Sequence, residues 1–399
     1  MDGIQKLVSF ESSMRDEVVE DPFLQVVDSA LKGQPSSNNS IPECSIKRFP
    51  TKSIPITMAT LPNGQRMPLL KTMLTSVCEK NCNYCCFRNG RDFQRETFQP
   101  DELARTFMQL YQKGVVKGLF LSSGIAGGGT RTQDRILAAA EILRLRMNFK
   151  GYLHLKIMPG AEYSQVERAM QLADRVSINL EGPTTRRLQL LAPQKIFLEE
   201  LLEPLHWVEE IRKNKPGYLG WKGHWPSSTT QFVAGGAGES DTELLRTTEF
   251  LHNRLRLGRV YYSGFNPVEN TPLEDQPPIN PWRTHRLYQA SFLLRDYGFS
   301  FEEMPYLSSG NLPLEVDPKQ AWAMDHLSQS PVEINTADYM DLIRVPGIGR
   351  KGALAILVER RKNKLSSIDS LKALGIVAQR ASPFILLNGH QPTRQLHLW

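Results

Sequence analysis

From about residue 68 onward, short apolar runs alternate with longer stretches of helical period, and this alternation limits the fold more than any other feature of the chain. It predicts strands over 69–76, 118–123, 152–158, 176–181, 230–234 and 260–263. Helices are expected between them, over 100–113, 132–146, 164–173, 184–191, 197–213 and 241–257. Ser240, with Glu243 three residues later, is a capping-box signature at the start of the last of these. Strands joined by helices pair in parallel, so the fold class is α/β, on an open parallel sheet or a full or partial barrel. Leu153, Leu155 and Ile157 alternate with His154, Lys156 and Met158, and Val176, Ile178 and Leu180 alternate with Ser177, Asn179 and Glu181. A parallel strand covered on both faces is nearly all apolar, so a polar face predicts either a barrel interior that holds something polar or an edge strand.

The chain of 399 residues has room for two or three domains, and 40% hydrophobic with 23% charged residues is ordinary globular composition. No apolar run approaches the roughly 18 residues that a membrane span needs, and the first residues lack a basic, then apolar, leader pattern. Disorder, membrane insertion and secretion are therefore not expected. Residues 33–40 read as a loop or linker, 266–281 as irregular, and 284–297 as a further helix, with a turn-rich stretch to about 330. The formal charge of +6 is concentrated: residues 331–399 hold ten Lys/Arg against five Asp/Glu, a net +5, which leaves +1 for the other 330 residues. A local surplus of this kind attracts a polyanion, although solvated surface helices look the same.

Four of the five cysteines, Cys78, Cys82, Cys85 and Cys86, lie within nine residues, and Cys44 stands apart. Clustered thiols in a chain of this length read as a metal or redox site in a reducing compartment, the cytoplasm, and not as a disulfide framework. Cys78-x3-Cys82-x2-Cys85 falls in the loop leaving the first strand of the alternating series, and carboxyl-end loops line the ligand site in parallel α/β folds. Structural zinc calls for four ligands, and no second pair follows. An iron–sulfur cluster fits better, with three cysteines leaving one iron open. Cys86 is not expected to be the fourth ligand, because adjacent side chains diverge, and nothing local favours Cys44.

Cys78-Glu79-Lys80-Asn81-Cys82-Asn83-Tyr84-Cys85 resembles the CxxxCxΦC motif of radical S-adenosylmethionine (SAM) enzymes. The resemblance implies a partial (β/α)6 TIM-type barrel, a [4Fe–4S] cluster on Cys78, Cys82 and Cys85, and SAM chelated at the open iron. In that superfamily an electron from the reduced cluster cleaves SAM to methionine and a 5′-deoxyadenosyl radical, which takes hydrogen from the substrate. The cofactor carries the difficult chemistry and the protein positions it. The resemblance also implies cofactor contacts for Tyr84, near the adenine, for Ser122, Ser123 and Gly124, and for Ser177, Asn179 and Glu181. Gly236-Ala237-Gly238-Glu239, Asn266 and Lys156 are weaker matches to cofactor or substrate positions. An external electron donor is implied as well.

In the last block, Val345-Pro346-Gly347-Ile348-Gly349-Arg350-Lys351 has the form of a helix-hairpin-helix. Gly347 and Gly349 permit a tight turn, and Arg350 and Lys351 open a helix whose amino end favours an anion. Such a hairpin grips DNA phosphates without reading bases, though hairpins of this form also pack against protein. A degenerate second unit follows over 370–386. Lys351 and Asp369 match the spacing of the catalytic pair in iron–sulfur DNA glycosylases, but Asp369 sits in a helix-start sequence and the cysteines lie at the wrong end of the chain.

Together with Gly118-Leu119-Phe120-Leu121-Ser122-Ser123-Gly124, Leu190-Leu191-Ala192-Pro193 and His285-Arg286-Leu287-Tyr288-Gln289-Ala290, these motifs resemble the DNA modification/repair radical SAM protein family, which is associated with a uracil-DNA-glycosylase-like partner. The expected organisation is an N-terminal extension over 1–60, a radical SAM barrel over 61–310, a connector over 311–330 and a small all-α helix-hairpin-helix domain over 331–390. The expected activity is radical SAM chemistry on a base or sugar in DNA. An RNA-modifying radical SAM enzyme and a non-catalytic iron–sulfur DNA-binding partner of a glycosylase-like protein are the alternatives. Trp221-Lys222-Gly223-His224-Trp225 is expected either to stack nucleotides at the barrel mouth or simply to anchor a loop.

Overall fold

The computed structural model describes residues 3–14, 54–60 and 66–392. The 33–40 stretch and Cys44 lie outside the described residues. The chain divides into two compact units, Met1–Glu239 with Phe250–His285, and Ser240–Glu249 with Arg286–Trp399.

The first unit is built on a seven-stranded sheet in sequential order. β1 (Ile56–Thr60) runs antiparallel to β2 (Arg66–Met73). From β2 the sheet continues in parallel through β3 (Gly118–Ser122), β4 (Tyr152–Lys156), β5 (Arg175–Ser177), β6 (Ser227–Ala234) and β7 (Arg259–Gly264). The sheet curls into a half barrel, the partial TIM-type architecture expected from the strand–helix alternation. The helices are α1 (Gly3–Met14), α2 (Pro100–Gln112), α3 (Gly129–Glu141), α4 (Tyr163–Leu172), α5 (Thr185–Leu191) and α6 (Glu203–Asn214); of α7 (Asp241–Leu255), only the part from Phe250 belongs to this unit. In α2, Pro100 takes a first-turn position and Gln99 with Glu102 closes a capping box. Its Leu103, Phe107 and Leu110 then recur at helical spacing and are buried. Every residue of β3 is buried, as a parallel strand covered on both faces requires.

The differences from expectation have local causes. The strand expected over 176–181 pairs regularly only through β5. Leu180 donates its N–H to the Thr230 hydroxyl instead of a ladder carbonyl, and Glu181 takes φ +63, which no strand tolerates. Glu181 rejoins the sheet only as a single bridge to Phe232. The helix expected over 197–213 begins as a π-helical turn, Phe197–Leu202, ahead of α6. The sequence reading missed α1, which is fixed by distant partners: the Phe10 ring lies 6.1 Å from Phe98 and Lys6 pairs with Glu102 at 2.7 Å.

The second unit contains α8 (Pro281–Asp296), α9 (Pro318–His326), α10 (Tyr339–Arg344), α11 (Arg350–Glu359), α12 (Ile368–Ala373) and α13 (Ala378–Ala381). The block is not purely helical, because β8 (Val332–Glu333) and β9 (Ile385–Leu386) pair in parallel. Asp317 caps α9, a helix inside the stretch expected as a connector. The capping box at Ser240 is present: its N–H reaches the Glu243 carboxylate at 2.9 Å, and the Glu243 N–H reaches the Ser240 hydroxyl at 3.3 Å. Between α10 and α11 the chain turns at Gly347, with φ +83, where a Cβ would collide with the Val377 carbonyl. Val377 N–H in turn donates to the Gly347 carbonyl at 3.1 Å, so the turns after α10 and α12 lock together. Ser367 caps α12, and Asp369 is exposed in its first turn, paired only with Lys372. Among the described residues no helix is long and apolar enough to cross a membrane.

Candidate active site

A cavity of about 1170 Å³, open to solvent, lies at the carboxyl ends of β2 to β7. Its wall holds Cys78, Cys82, Cys85 and Tyr84 from the loop after β2, and Ser122, Ser123 and Gly124 from the end of β3. Lys156 comes from β4, Asn179 and Glu181 from beyond β5, and Asn266 from beyond β7. Of the polar positions read in these strands, Lys156, Asn179 and Glu181 line the cavity.

The spacer residues of the cysteine motif fasten the loop. Glu79 N–H donates to the Ile125 carbonyl at 2.8 Å, and its carboxylate accepts from the amides of Gly127 and Gly128 at 3.1 and 3.3 Å. Asn83 binds the Leu191 and Leu190 carbonyls, and Lys80 binds the Gln194 carbonyl at 3.1 Å. Arg95 is the main staple. Its guanidinium donates to the carbonyls of Ser76, Phe87, Arg88 and Arg91 and stacks 4.3 Å from the Phe93 ring. Nothing in the sequence marks Arg95, because its four acceptors are backbone atoms that converge only in the folded loop.

Other expected contacts sort by position. Gly124 is glycine for a reason visible in the fold: a Cβ would strike the Val77 carbonyl, and the Gly124 N–H donates to the Thr75 carbonyl at 2.7 Å. Ser177 does not line the cavity, and its hydroxyl meets His154 Nε2 at 2.9 Å. Residues 236–239 are also outside the lining. The Glu239 carboxylate turns back onto the amides of Gly235 and Ala237, and Ala237 packs in the apolar cluster that backs Tyr84. Cys86 does not diverge from its neighbour, since the chain turns at Cys86-Phe87. Its thiol hydrogen-bonds Cys85 and reaches the same cavity. The 221–225 segment precedes β6, and its Lys222 pairs with Asp174, which precedes β5, at 3.2 Å. It therefore lies at the amino end of the barrel, away from the cavity, where Trp221 stacks 3.9 Å from the buried Arg144 guanidinium. Loop anchoring is its role in this fold.

The cavity wall holds a buried ion pair, of which only Glu181 is marked in the sequence. Lys195 Nζ lies 2.8 Å from Glu181 Oε1, with both side chains nearly buried. Burial pushes the Cys82 thiol up to about 12 against the opposing pull of Lys195. Cys85 is also raised, first by its hydrogen bond to Cys86 and then by burial. Glu181 is lowered, Lys195 and Lys156 outweighing its burial, and burial with the charge of Glu181 raises Tyr84. The fit to a cluster is chemical: three soft sulfur donors share one wall, and Glu181 Oε2, buried with no hydrogen-bond partner, offers an acceptor beside them.

Residues 72–251 match the profile of the Radical SAM superfamily. This stretch is a radical SAM domain, of a superfamily that uses a [4Fe–4S] cluster and SAM. Solved structures with distant likeness include the [FeFe]-hydrogenase maturase HydG from Carboxydothermus hydrogenoformans, at 14% identity over 57% of this chain and 51% of that one, TM-score 0.45. Methylornithine synthase matches at 13% identity over 57% and 61%, TM-score 0.45. Coproporphyrinogen III oxidase from Escherichia coli matches at 14% identity over 57% and 52%, TM-score 0.36. The chain thus spans about half the length of the first of these, and likenesses this distant carry no further weight. No curated protein matches the chain.

Proposed function

We propose that the protein is a radical SAM enzyme, using a [4Fe–4S] cluster and SAM, that acts on a nucleotide in DNA, modifying or repairing it, with the C-terminal hairpin holding the phosphate backbone. When bound, the cluster and SAM supply a carbon radical that takes hydrogen from the substrate. The chain's own residues do the rest. Cys78, Cys82 and Cys85 hold the iron, Arg95 and Glu79 keep the loop in shape, and Tyr84, Ser122, Ser123, Gly124, Asn179 and Glu181 line the space for SAM.

The observation that carries the nucleic-acid reading is the start of α11. Its N-cap is Gly349, which has no side chain to occupy the first-turn amides, and Arg350 and Lys351 beside it are exposed. An amino end of this kind suits a phosphate. The net +5 is not all available, however. Arg344 is spent on Glu303 and the Phe299 and Trp322 rings, Arg360 on the Ile334 and Ala337 carbonyls, and Arg380 on Asp317. Arg350 itself lies 3.5 Å from Asp296, so the grip falls to Gly347, Gly349, Lys351 and what Arg350 can share, with the exposed Arg361 and Lys364 nearby in sequence. A base in duplex DNA must be flipped out or presented single-stranded before it can enter the cavity. A reducing compartment such as the cytoplasm, an external electron donor and a uracil-DNA-glycosylase-like partner belong to the same reading.

The test is anaerobic SAM cleavage by cluster-replete protein with a reductant, alone and with single-stranded DNA, duplex DNA or RNA. The reading expects DNA to raise 5′-deoxyadenosine formation. Stimulation by RNA alone redirects the substrate to RNA, and equal rates under all conditions sink the nucleic-acid reading.

A further inference from the structure

Lys195 lies on the loop between α5 and the π-helical turn, lines the cavity, and has a side chain 11% exposed against 4% for that of Glu181. The sequence does not mark it, because its partner Glu181 is reached only when α5 has folded back over the end of β5. Glu181 is held in a backbone conformation, φ +63, that a non-glycine residue adopts only when its surroundings enforce it. The enforcement is visible: its N–H donates to the Gln231 carbonyl at 3.0 Å and its carbonyl accepts from Val233 N–H at 2.7 Å. A buried ion pair is a weak source of stability compared with apolar residues of the same volume, so stability alone is a poor reason for this one.

The pair also shares its wall with the cysteines: Lys195 and Glu181 line the same cavity as Cys78, Cys82 and Cys85. Both side chains are nearly buried, so their charges are screened little there. Two further lysines, Lys80 and Lys156, share the wall, and Lys80 is paired with Glu200 at 3.6 Å. An electron added behind three thiolates adds negative charge to a wall that already carries it. A nearby ammonium stabilises that charge and a nearby carboxylate opposes it.

We propose that the Lys195–Glu181 pair sets the reduction potential of the cluster held by Cys78, Cys82 and Cys85, with Lys195 raising it and Glu181 both orienting Lys195 and lowering it. Lys195 is in this sense a positioning residue that acts through its field. The step it governs is the entry of one electron from an external one-electron donor, with no bond made or broken in the protein. The inference rests on the cluster assignment and is independent of the nucleic-acid reading.

The test uses full-length protein reconstituted anaerobically without SAM or nucleic acid, as wild type, Lys195→Met, Lys195→Arg, Glu181→Gln and the Lys195→Met/Glu181→Gln double variant. Iron and sulfide content are measured first, then the reduced fraction by electron paramagnetic resonance during a dithionite titration against mediators. At the wild-type midpoint, Lys195→Met is expected to show a reduced-to-oxidised ratio at least tenfold lower, equal to about 59 mV for one electron. Lys195→Arg should stay within threefold of wild type, Glu181→Gln should shift toward easier reduction, and the double variant should fall between the two single variants. A cluster-replete Lys195→Met protein with the wild-type midpoint overturns the proposal. Should Lys195→Met fail to retain iron, Glu181→Gln decides alone, and an unchanged or lowered midpoint there overturns it equally.

Discussion

The two units treat charge in opposite ways. In the first, the charges that matter are inside: Lys195 against Glu181 in the cavity wall, and Arg144 against Asp174 beneath the barrel with its guanidinium fully buried. In the second, much of the cationic surplus is exposed, at Arg350, Lys351, Arg361, Lys364 and Lys372, while Lys319 is half-buried and Arg286 buried. A buried, paired charge is screened little by salt and fixes geometry, whereas an exposed one is screened within about 10 Å at 0.1 M salt and acts on whatever polyanion arrives. The difference separates a wall of fixed charges beside the cysteines from a surface that, in the proposed reading, meets a phosphate backbone.

The comparison breaks first at the cysteines. Cys82→Ala should lose essentially all bound iron, measured by iron analysis after anaerobic reconstitution, and iron retained at the wild-type level would undo the ligand assignment. Arg95→Ala comes next. It strips partners from four carbonyls at once and should cost about 3–5 kcal/mol of stability by denaturant unfolding, with reduced iron content. Gly347→Ala should destabilise the second unit by about 1–3 kcal/mol through its positive φ and the crowded Val377 carbonyl, and should leave iron content intact. Lys351→Ala should weaken DNA binding modestly and reduce the slope of log K against log salt by about 1, read from a salt titration.

Proton linkage sharpens the same contrast. Burial pushes the Lys319 ammonium down to about 7, with Arg380 adding to the effect, while Nζ donates to the Ile348 carbonyl at 2.7 Å. A depressed lysine in the folded state means that the unfolded chain binds more protons between about 7 and 10.5. Stability from this group is therefore present above the upper value and is lost as pH falls through the lower. Cys82 runs the other way: raised from 9.0 to about 12, it favours the metal-free fold below pH 9, and that contribution is lost as pH rises through 12. Iron loading, which must remove the thiol proton, should accordingly improve with pH over the range in which the protein stays folded. Thermal unfolding and iron uptake at pH 6, 7.5 and 9 check both signs.

What the sequence made legible was local. The three cysteines lie close together in one loop, and the strand–helix alternation specifies a parallel sheet without reference to distant partners. Lys156 faces the cavity because a strand's period of two assigns faces, while Asn179 and Glu181 reach it from the irregular stretch beyond β5. The same period says nothing of depth, which is why Ser177 lies outside the lining, bonded to His154. Arg95 and Lys195 were invisible because their partners are backbone carbonyls and a carboxylate brought near by folding. The tryptophan-flanked 221–225 segment precedes its strand, and a loop before a parallel strand belongs to the end of the barrel that has no site. Attention to that order alone would have placed it correctly.

The most direct test of the division of labour between the units is 5′-deoxyadenosine formation measured across a range of salt, with and without DNA. The account predicts that the DNA-stimulated rate falls steeply with salt until it meets a DNA-independent rate that stays nearly level. A DNA stimulation that persists unchanged at high salt, or two curves that fall together, would contradict it.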